Sequence, residues 1–186
     1  MVTLVVLSAY FSLLLELTLF RVPSKVGFFE NFKRQKSKRK GLFRTILILL
    51  GFATFLYPAF YLVFFKTYNP YSDSIYNLIL AIFLIVIGRL ASLVAVVRIR
   101  KKNTQKENHF FLHTDGIFKI SRNPIQVGLY LFLIGLWLLF SSYVFLVGIL
   151  IYIIYMHFMI KQEEDFLRNR FGETYKSYCS YTRRYL

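Results

Sequence analysis

The chain has 186 residues, of which 56% are hydrophobic and 19% aromatic, and its formal net charge is +15. A soluble domain of this size needs a largely polar surface, so the long apolar runs exclude an ordinary soluble globular protein. The charge does not indicate nucleic-acid binding, because no nucleic-acid-binding motif accompanies it. With one cysteine, Cys179, the chain forms no intramolecular disulfide.

Five apolar runs long enough to cross a bilayer follow one another along the chain. We predict transmembrane helices at about 2–20, 42–65, 74–97, 125–140 and 143–160. Helices are favoured because backbone polar groups must be satisfied internally in lipid. Only Ser141 and Ser142 separate the last two runs, which predicts a tight helical hairpin. The predicted fold class is all-α, a polytopic membrane protein with an N-terminal part (1–109) and a C-terminal part (110–186).

Lysine and arginine predict the orientation of these helices. Nine of the 24 basic residues lie in 21–44, seven in 98–122 and six in 161–184. Five spans place all three basic segments on one side, which the positive-inside rule identifies as the cytoplasm. We therefore expect the N-terminus outside and the C-terminus inside, with the basic face contacting anionic headgroups. The first run has no basic residue before it and no cleavage site after it, so we expect it to be a retained anchor.

After the last apolar run the composition becomes polar. Phe166, Leu167 and Phe171 are spaced as the apolar positions of a short amphipathic helix at the cytoplasmic membrane surface, over about 161–171. Gly172 is a plausible end of this helix.

A first polar constellation precedes the hairpin, between His113 and Gly128. Asn123 followed by Pro124 predicts a helix start, with Asn as the cap and Pro at the first position. The free N–H groups there favour an anion, and Arg122 adds a cation suited to a carboxylate or phosphate. The plainer alternative is that Arg122 anchors the helix at the interface. Gln126 is one turn further on and is costly in lipid unless it faces a pocket.

A second constellation, Glu163, Glu164 and Asp165, follows the last span in an otherwise basic face. One interpretation is a surface ion-pair network. The other is that Glu163 or Glu164 turns into a pocket and holds a cation or ribose hydroxyls. His157 lies two helical turns before Glu164 on the same face, where an interface role is the more ordinary explanation than a catalytic one.

Two charges lie within the apolar runs, Glu16 and Arg89. A charge in lipid is expensive unless it is paired, so we predict that these two pair or line a cavity. No metal-binding motif, nucleophile motif, P-loop or dinucleotide fingerprint is found, and we expect no metal.

The C-terminal residues resemble a known membrane family. Their pattern reads Gly116-Ile117-Phe118, then Arg122-Asn123-Pro124-Ile125-Gln126-Val127-Gly128, the hairpin, Glu163-Glu164, Leu167, Phe171-Gly172, Tyr175, Tyr178 and Arg184. This is similar to the integral-membrane methyltransferases that include isoprenylcysteine carboxyl methyltransferases and phospholipid N-methyltransferases. The resemblance covers about 110–186. Asn123 and Gln126 depart from it, because the family pattern has His and Tyr there, and Asn does not titrate near neutrality.

The resemblance implies methyl transfer from S-adenosylmethionine at the membrane–cytosol boundary. It implies catalytic roles for Arg122, Asn123 and Arg184. It implies cofactor binding by His113, Gly116, Arg122, Asn123, Pro124, Gln126, Gly128, Glu163 and Glu164. The Glu pair suits the ammonium or ribose of the cofactor, and Arg122 with the helix start suits its carboxylate. The acceptor is expected to be a lipid or isoprenoid-linked molecule that enters from the bilayer.

Several alternatives stay open. The tail pattern lies closer to the carboxyl-methylating group, while N-methylation of a lipid amine and methylation of a small thiol are the other candidates. Asn123 and Gln126 also suit a non-catalytic scaffold or lipid-binding protein that retains the fold. A small transporter would use Glu16 and Arg89, although the repeats and broken helices usual in transporters are not visible.

Overall fold

The computed structural model of the protein describes residues 2–21, 40–65, 74–105 and 112–186. Within these ranges the regular structure is helical and no β-strand occurs, which confirms the predicted all-α class for the described part. The elements are α1 (Val2–Arg21), α2 (Lys40–Phe65), α3 (Ile75–Gln105), a 3₁₀ turn (Gly116–Lys119), α4 (Pro124–Phe140), α5 (Tyr143–Phe171) and α6 (Glu173–Tyr181).

The outer faces of the long helices are apolar. Ile75–Ile99 of α3 and the whole of α5 are long and apolar enough, by length and composition, to cross a membrane. Large apolar side chains on these faces point outward, and Phe83 and Val144 are 57% and 72% exposed. An apolar surface of this extent is costly in water and indicates contact with lipid. The described apolar stretches of α1, α2 and α4 are shorter, so the count of five spans stays a prediction.

Small residues bring α3 and α4 into close contact. A Cβ built on Gly135 would lie 2.8 Å from the Ala81 carbonyl oxygen, and one built on Gly88 would lie 2.5 Å from the Gly128 carbonyl oxygen. Backbones approach this closely only where side chains are absent or very small, which is typical of helix packing in membranes. Ser92 adds a hydrogen bond to the Ile125 carbonyl at 3.0 Å. The start of α4 is therefore fixed against α3.

The core lies along α4. Phe132, Leu133 and Leu136 have no exposed surface. α1 packs on α3, and α2 packs on α5. The Phe55 ring of α2 contacts Phe132 at 6.4 Å between centroids, and Tyr152 of α5 at 5.1 Å. These contacts pack the other helices against α4 and hold it in a fixed place.

The predicted helical hairpin between the last two runs is confirmed. α4 ends at Phe140 with Ser141 in the left-handed region at φ 44°, and α5 begins at Tyr143. The Ser142 hydroxyl accepts from the Phe145 N–H at 3.4 Å and lies 2.8 Å from the Tyr57 hydroxyl. Two serines are therefore enough to reverse the chain.

The prediction of a separate amphipathic helix at 161–171 is wrong. α5 continues through it without a break and has 29 residues, which gives a length of about 44 Å. No Gly or Pro interrupts 161–171, so the backbone has no reason to end the helix at Ile160. The predicted stop is confirmed, because Gly172 ends α5 at φ 52°. A hydrocarbon core is about 30 Å thick, so α5 is longer than the core of a bilayer.

Candidate functional site

The loop before α4 is held from both sides. The 3₁₀ turn begins at Gly116, whose φ of 59° suits glycine, and the Arg98 guanidinium lies where its side chain would be. Phe118 in the turn is buried, and its carbonyl accepts from the Tyr178 hydroxyl at 2.6 Å. This bond joins the loop to α6, so the residues that follow the turn are fixed between α3 and α6.

The C-terminal segment, residues 182–186, runs beside this loop. The Arg122 N–H donates to the Arg183 carbonyl at 2.9 Å. The Arg184 carbonyl accepts from the Asn123 amide at 3.0 Å and from the Ser121 hydroxyl at 3.3 Å. Three hydrogen bonds therefore dock the end of the chain on the loop that starts α4.

Asn123 occupies the predicted N-cap position of α4, and Pro124 is the first helical residue. The predicted cap by the Asn123 side chain is wrong, because no hydrogen bond joins it to the first turn. Its side-chain Nδ2 donates instead to the Arg184 carbonyl. Asn123 therefore connects the loop to the C-terminal segment instead of capping the helix.

A partly buried cluster of three charges forms in the C-terminal third of α5. The Glu164 carboxylate accepts two hydrogen bonds from Arg184, from Nε at 3.0 Å and from Nη2 at 2.6 Å. Arg122 Nη2 lies 3.3 Å from Glu164 Oε1. The side chains of Glu164, Arg122 and Arg184 are 7%, 13% and 31% exposed. The bidentate geometry suits a partly buried pair, and the cluster has a net charge of +1.

The contacts in this cluster show which of the two adjacent glutamates faces the site. Glu164 faces inward to both arginines, while Glu163 is half-buried about 100° further round the helix. The hydrogen bond to Glu164 raises the pKa of the Arg184 guanidinium, which keeps the charge of this arginine fixed. In this arrangement Glu164 shares its charge with two cations.

Two polar atoms beside the cluster are buried without a hydrogen bond in the described part of the structure, Arg122 Nε and Thr182 Oγ1. Arg122 also contacts the Cys179 sulfur through Nη1. A buried guanidinium N–H without an acceptor is costly, and a carboxylate is its natural partner. The cluster therefore holds a cationic donor of the kind that a carboxylate ligand, such as that of S-adenosylmethionine, pairs with.

Two tyrosines of α6 support the cluster. Tyr175 and Tyr178 are 1% and 3% exposed. Burial raises the pKa of both phenols, so they stay neutral at physiological pH. Both belong to the pattern quoted from the sequence, and their place in the structure is beneath Arg122 and the 3₁₀ turn.

An open groove of about 420 Å³ lies next to the cluster, between α4, α5 and the C-terminal segment. Its lining residues are Tyr130, Ile153, Ile154, His157, Phe158 and Tyr185. Ile154 and Phe158 are each 58% exposed, on the apolar outer face of α5. The groove therefore opens where lipid would lie. Arg184 and Tyr185 are consecutive, so one faces the cluster and the next lines the groove.

Sequence reasoning missed Tyr130 and Tyr185 as site residues. The signal for Tyr185 was its place directly after Arg184, the last residue of the family pattern. Tyr130 sits within an apolar run and gave no signal. The sequence favours an interface role for His157, and the structure places its Nδ1 2.9 Å from the Tyr185 hydroxyl.

Three other residues predicted to bind the cofactor, His113, Gln126 and Gly128, make contacts that do not involve the charged cluster. His113 packs its ring against Phe118 at 5.6 Å between centroids. Gln126 is buried and donates to the Tyr152 hydroxyl at 3.0 Å, within the α4–α5 hairpin. Gly128 lies in the contact of α4 with α3, where a side chain would meet Gly88 and Ser92. The structure thus gives Gln126 and Gly128 packing contacts between helices.

Arg89 lies inside the helix bundle, 4% exposed. Its Nε donates to the Ser12 hydroxyl at 2.9 Å, and its guanidinium lies over the Phe132 ring at 5.6 Å. The Glu16 side chain lies outside the described residues, so the predicted pair of Glu16 and Arg89 stays a prediction. In the described ranges no group of three or more His, Cys, Asp or Glu residues is arranged to hold a metal ion.

Comparison with known proteins gives one match. A family model described as phospholipid methyltransferase matches residues 76–174. The range holds more than half of the 186 residues and extends from α3 through the start of α6, so it includes Arg122 and Glu164. No curated protein and no solved structure matches the chain.

Proposed function

The chain belongs to the phospholipid methyltransferase family, and from this premise we propose that it methylates a lipophilic acceptor with S-adenosylmethionine at the membrane–cytosol boundary. The observation that carries the proposal is the position of the charged cluster beside the lipid-facing groove. The two are joined by the consecutive residues Arg184 and Tyr185. A polar cofactor and an apolar acceptor need two such adjoining sites.

S-adenosylmethionine supplies a methyl group already activated on a sulfonium, so the protein mainly binds, orients and excludes water. Arg122 would hold the cofactor carboxylate through its buried Nε, assisted by the first-turn N–H groups of α4. Glu163 and Glu164 are the acids available to its ammonium or ribose hydroxyls. Asn123 and Arg184 orient this region through their bonds with each other and with Glu164.

The acceptor chain would lie in the groove with its head toward Tyr185. The groove lining includes three aromatic rings and a histidine, and no lysine or arginine. Aromatic faces attract ammonium groups, whereas a carboxylate would meet no cation among the lining residues, because the guanidinium of the adjoining Arg184 is bonded to Glu164. The groove thus favours a lipid amine as the acceptor. The tail pattern favours the carboxylate of an isoprenylcysteine, which is the second candidate.

Cofactor binding is the first test. We expect calorimetry on protein in lipid nanodiscs to show saturable binding of S-adenosylmethionine, weakened at least tenfold by Glu164→Gln. Glu173→Gln is the matched control, because the Glu173 side chain is 86% exposed on α6. Folded wild-type protein that binds no cofactor would refute the methyltransferase proposal and favour a non-catalytic scaffold.

An acceptor assay then separates the two substrate classes. Radiolabelled methyl transfer is measured to an ethanolamine phospholipid and, in parallel, to an S-prenylated N-acetylcysteine. Transfer to the phospholipid supports the amine assignment. Transfer to the prenylcysteine alone would overturn this assignment and leave the methyltransferase proposal in place.

The proposal includes the orientation derived from the basic segments, with the C-terminus and the cluster in the cytoplasm. Cysteines introduced at Tyr143 and Ser177, each in a Cys179→Ser background, test it because both positions are exposed. We expect an impermeant maleimide to label the Tyr143 position in right-side-out vesicles, and the Ser177 position only after lysis. The reverse pattern would overturn the orientation.

A further inference from the structure

His157 and Tyr185 form a polar pair at the cluster end of the groove. His157 Nδ1 lies 2.9 Å from the Tyr185 hydroxyl, and both side chains line the groove. The titratable groups that meet this pair are Tyr130 of α4, whose ring is 6.1 Å from that of Tyr185, and the Arg184–Glu164 ion pair. The charges of Arg184 and Glu164 act on the pKa of Tyr185 with opposite sign, since Arg184 lowers it and Glu164 raises it. The cofactor-binding role proposed above does not use His157.

An amine acceptor creates a need for such a pair. A lipid ammonium has no lone pair, so it must lose a proton before its nitrogen can form a bond to carbon. An unperturbed primary ammonium has a pKa of about 10, so about one molecule in a thousand is free amine at pH 7. A nearby proton acceptor that titrates near neutrality overcomes this limit. The Asn123 amide has no basic nitrogen, whereas the neutral imidazole of His157 has one that can accept a proton.

We propose that Tyr185 and His157 relay the proton from the amine acceptor, an inference that rests on the proposed function. The Tyr185 oxygen accepts a hydrogen bond from the ammonium, and its own proton passes to His157 Nδ1. The N–H bond breaks and leaves its electron pair on nitrogen. That pair forms the N–CH₃ bond as the S–CH₃ bond breaks with its electrons left on sulfur, and the proton ends on His157. Tyr185 touches the acceptor, and His157 is a positioning residue that acts through it.

The pH dependence of methyl transfer tests the relay. For the wild type we expect the rate on an ethanolamine phospholipid to change little between about pH 7 and pH 9, because the relay removes the ammonium proton within the site. His157→Gln keeps an amide that can bond Tyr185 but does not titrate. We expect its rate at pH 7 to be about 100-fold lower, and to rise about tenfold per pH unit toward pH 9 as free amine forms. Tyr185→Phe should behave similarly, and Tyr181→Phe, at an exposed tyrosine, should match the wild type.

Binding gives a second readout that needs no turnover. Dodecyltrimethylammonium carries a permanent positive charge and a chain that fits the groove, so its own charge does not change with pH. A proton held on His157 would repel this cation, so lowering the pH should weaken its binding to the wild type more than its binding to His157→Gln. An equal loss of affinity in both proteins would overturn the relay.

The outcomes separate the relay from the function on which it rests. A wild type that binds no S-adenosylmethionine, or methylates no acceptor, refutes the proposed function. A wild type that methylates the amine, with superimposable pH profiles for wild type and His157→Gln, refutes the relay alone. Unchanged affinity for S-adenosylmethionine shows that a variant is folded. If His157→Gln does not fold, the pH profile of Tyr185→Phe tests the relay in its place.

Discussion

Glu164→Gln would break the charged cluster at its one anion. The Glu164 carboxylate has N–O contacts at 2.6, 3.0 and 3.3 Å with two arginines, and its side chain is 7% exposed. Glutamine keeps the shape and removes the charge, so the two guanidiniums then face each other around a neutral amide. Breaking a buried ion pair by removing one partner costs about 3–5 kcal/mol. Because the Arg184 side chain is 31% exposed and can turn toward water, we expect about 3 kcal/mol.

For a chain of this length, a loss of about 3 kcal/mol lowers the melting temperature by roughly 6–12 °C. The assay is thermal unfolding in nanodiscs without cofactor, followed by intrinsic fluorescence. Glu173→Gln is the control. Its carboxylate pairs with Lys176 at 2.6 Å but is 86% exposed, so its loss should cost less than about 1 kcal/mol. A second comparison adds Arg184→Gln, which should cost less in the Glu164→Gln background than in the wild type.

Equal melting temperatures for Glu164→Gln and Glu173→Gln would refute this reasoning. They would mean that the cluster is solvated and that its charges are independent. Additive effects of Glu164→Gln and Arg184→Gln would lead to the same conclusion, because coupled charges do not add.

Three further predictions concern packing and the tyrosines. Gly128→Ala should destabilise the protein by about 1–3 kcal/mol in the same thermal assay, because its Cβ meets the Gly88 backbone and Ser92. Gly51→Ala, whose Cβ meets Tyr152 at an ordinary 3.6 Å, should be neutral or slightly stabilising. Burial raises the pKa of the Tyr178 phenol above its unfolded value, so its contribution to stability is present below about pH 10 and is lost above it. Tyr178→Phe should therefore show a smaller loss of stability between pH 9 and pH 11 than the wild type, and an equal loss would contradict this.

Much of the fold was predictable from local pattern. The hairpin at Ser141 and Ser142 and the stop at Gly172 follow from the apolar runs and from one glycine, and the structure confirms both. The prediction of a separate helix at 161–171 was wrong because the sequence becomes polar there without any residue that ends a helix. A charged sequence continues a helix when no residue interrupts it.

The candidate site was predictable in its residue types and not in its partners. The sequence alone identified Arg122, Glu164 and Arg184. Their spacing does not show that the chain folds back over 20 residues, so that Nε and Nη2 of Arg184 bind Glu164. The same chain reversal gives the Asn123 Nδ2 an acceptor in the Arg184 carbonyl, which the sequence does not show either. Long-range contacts of this kind depend on how α6 packs, which local patterns do not determine.

The placement of Arg184 and Tyr185 on one extended segment has a thermodynamic consequence. Three hydrogen bonds to backbone carbonyls hold this segment to the loop before α4, so a shift of its backbone displaces both Arg184 at the cluster and Tyr185 in the groove. Under the proposed function, a ligand that shifts this backbone at one site also changes the other site. The dissociation constants for cofactor and acceptor would then be linked, each ligand changing the affinity of the other by the same factor.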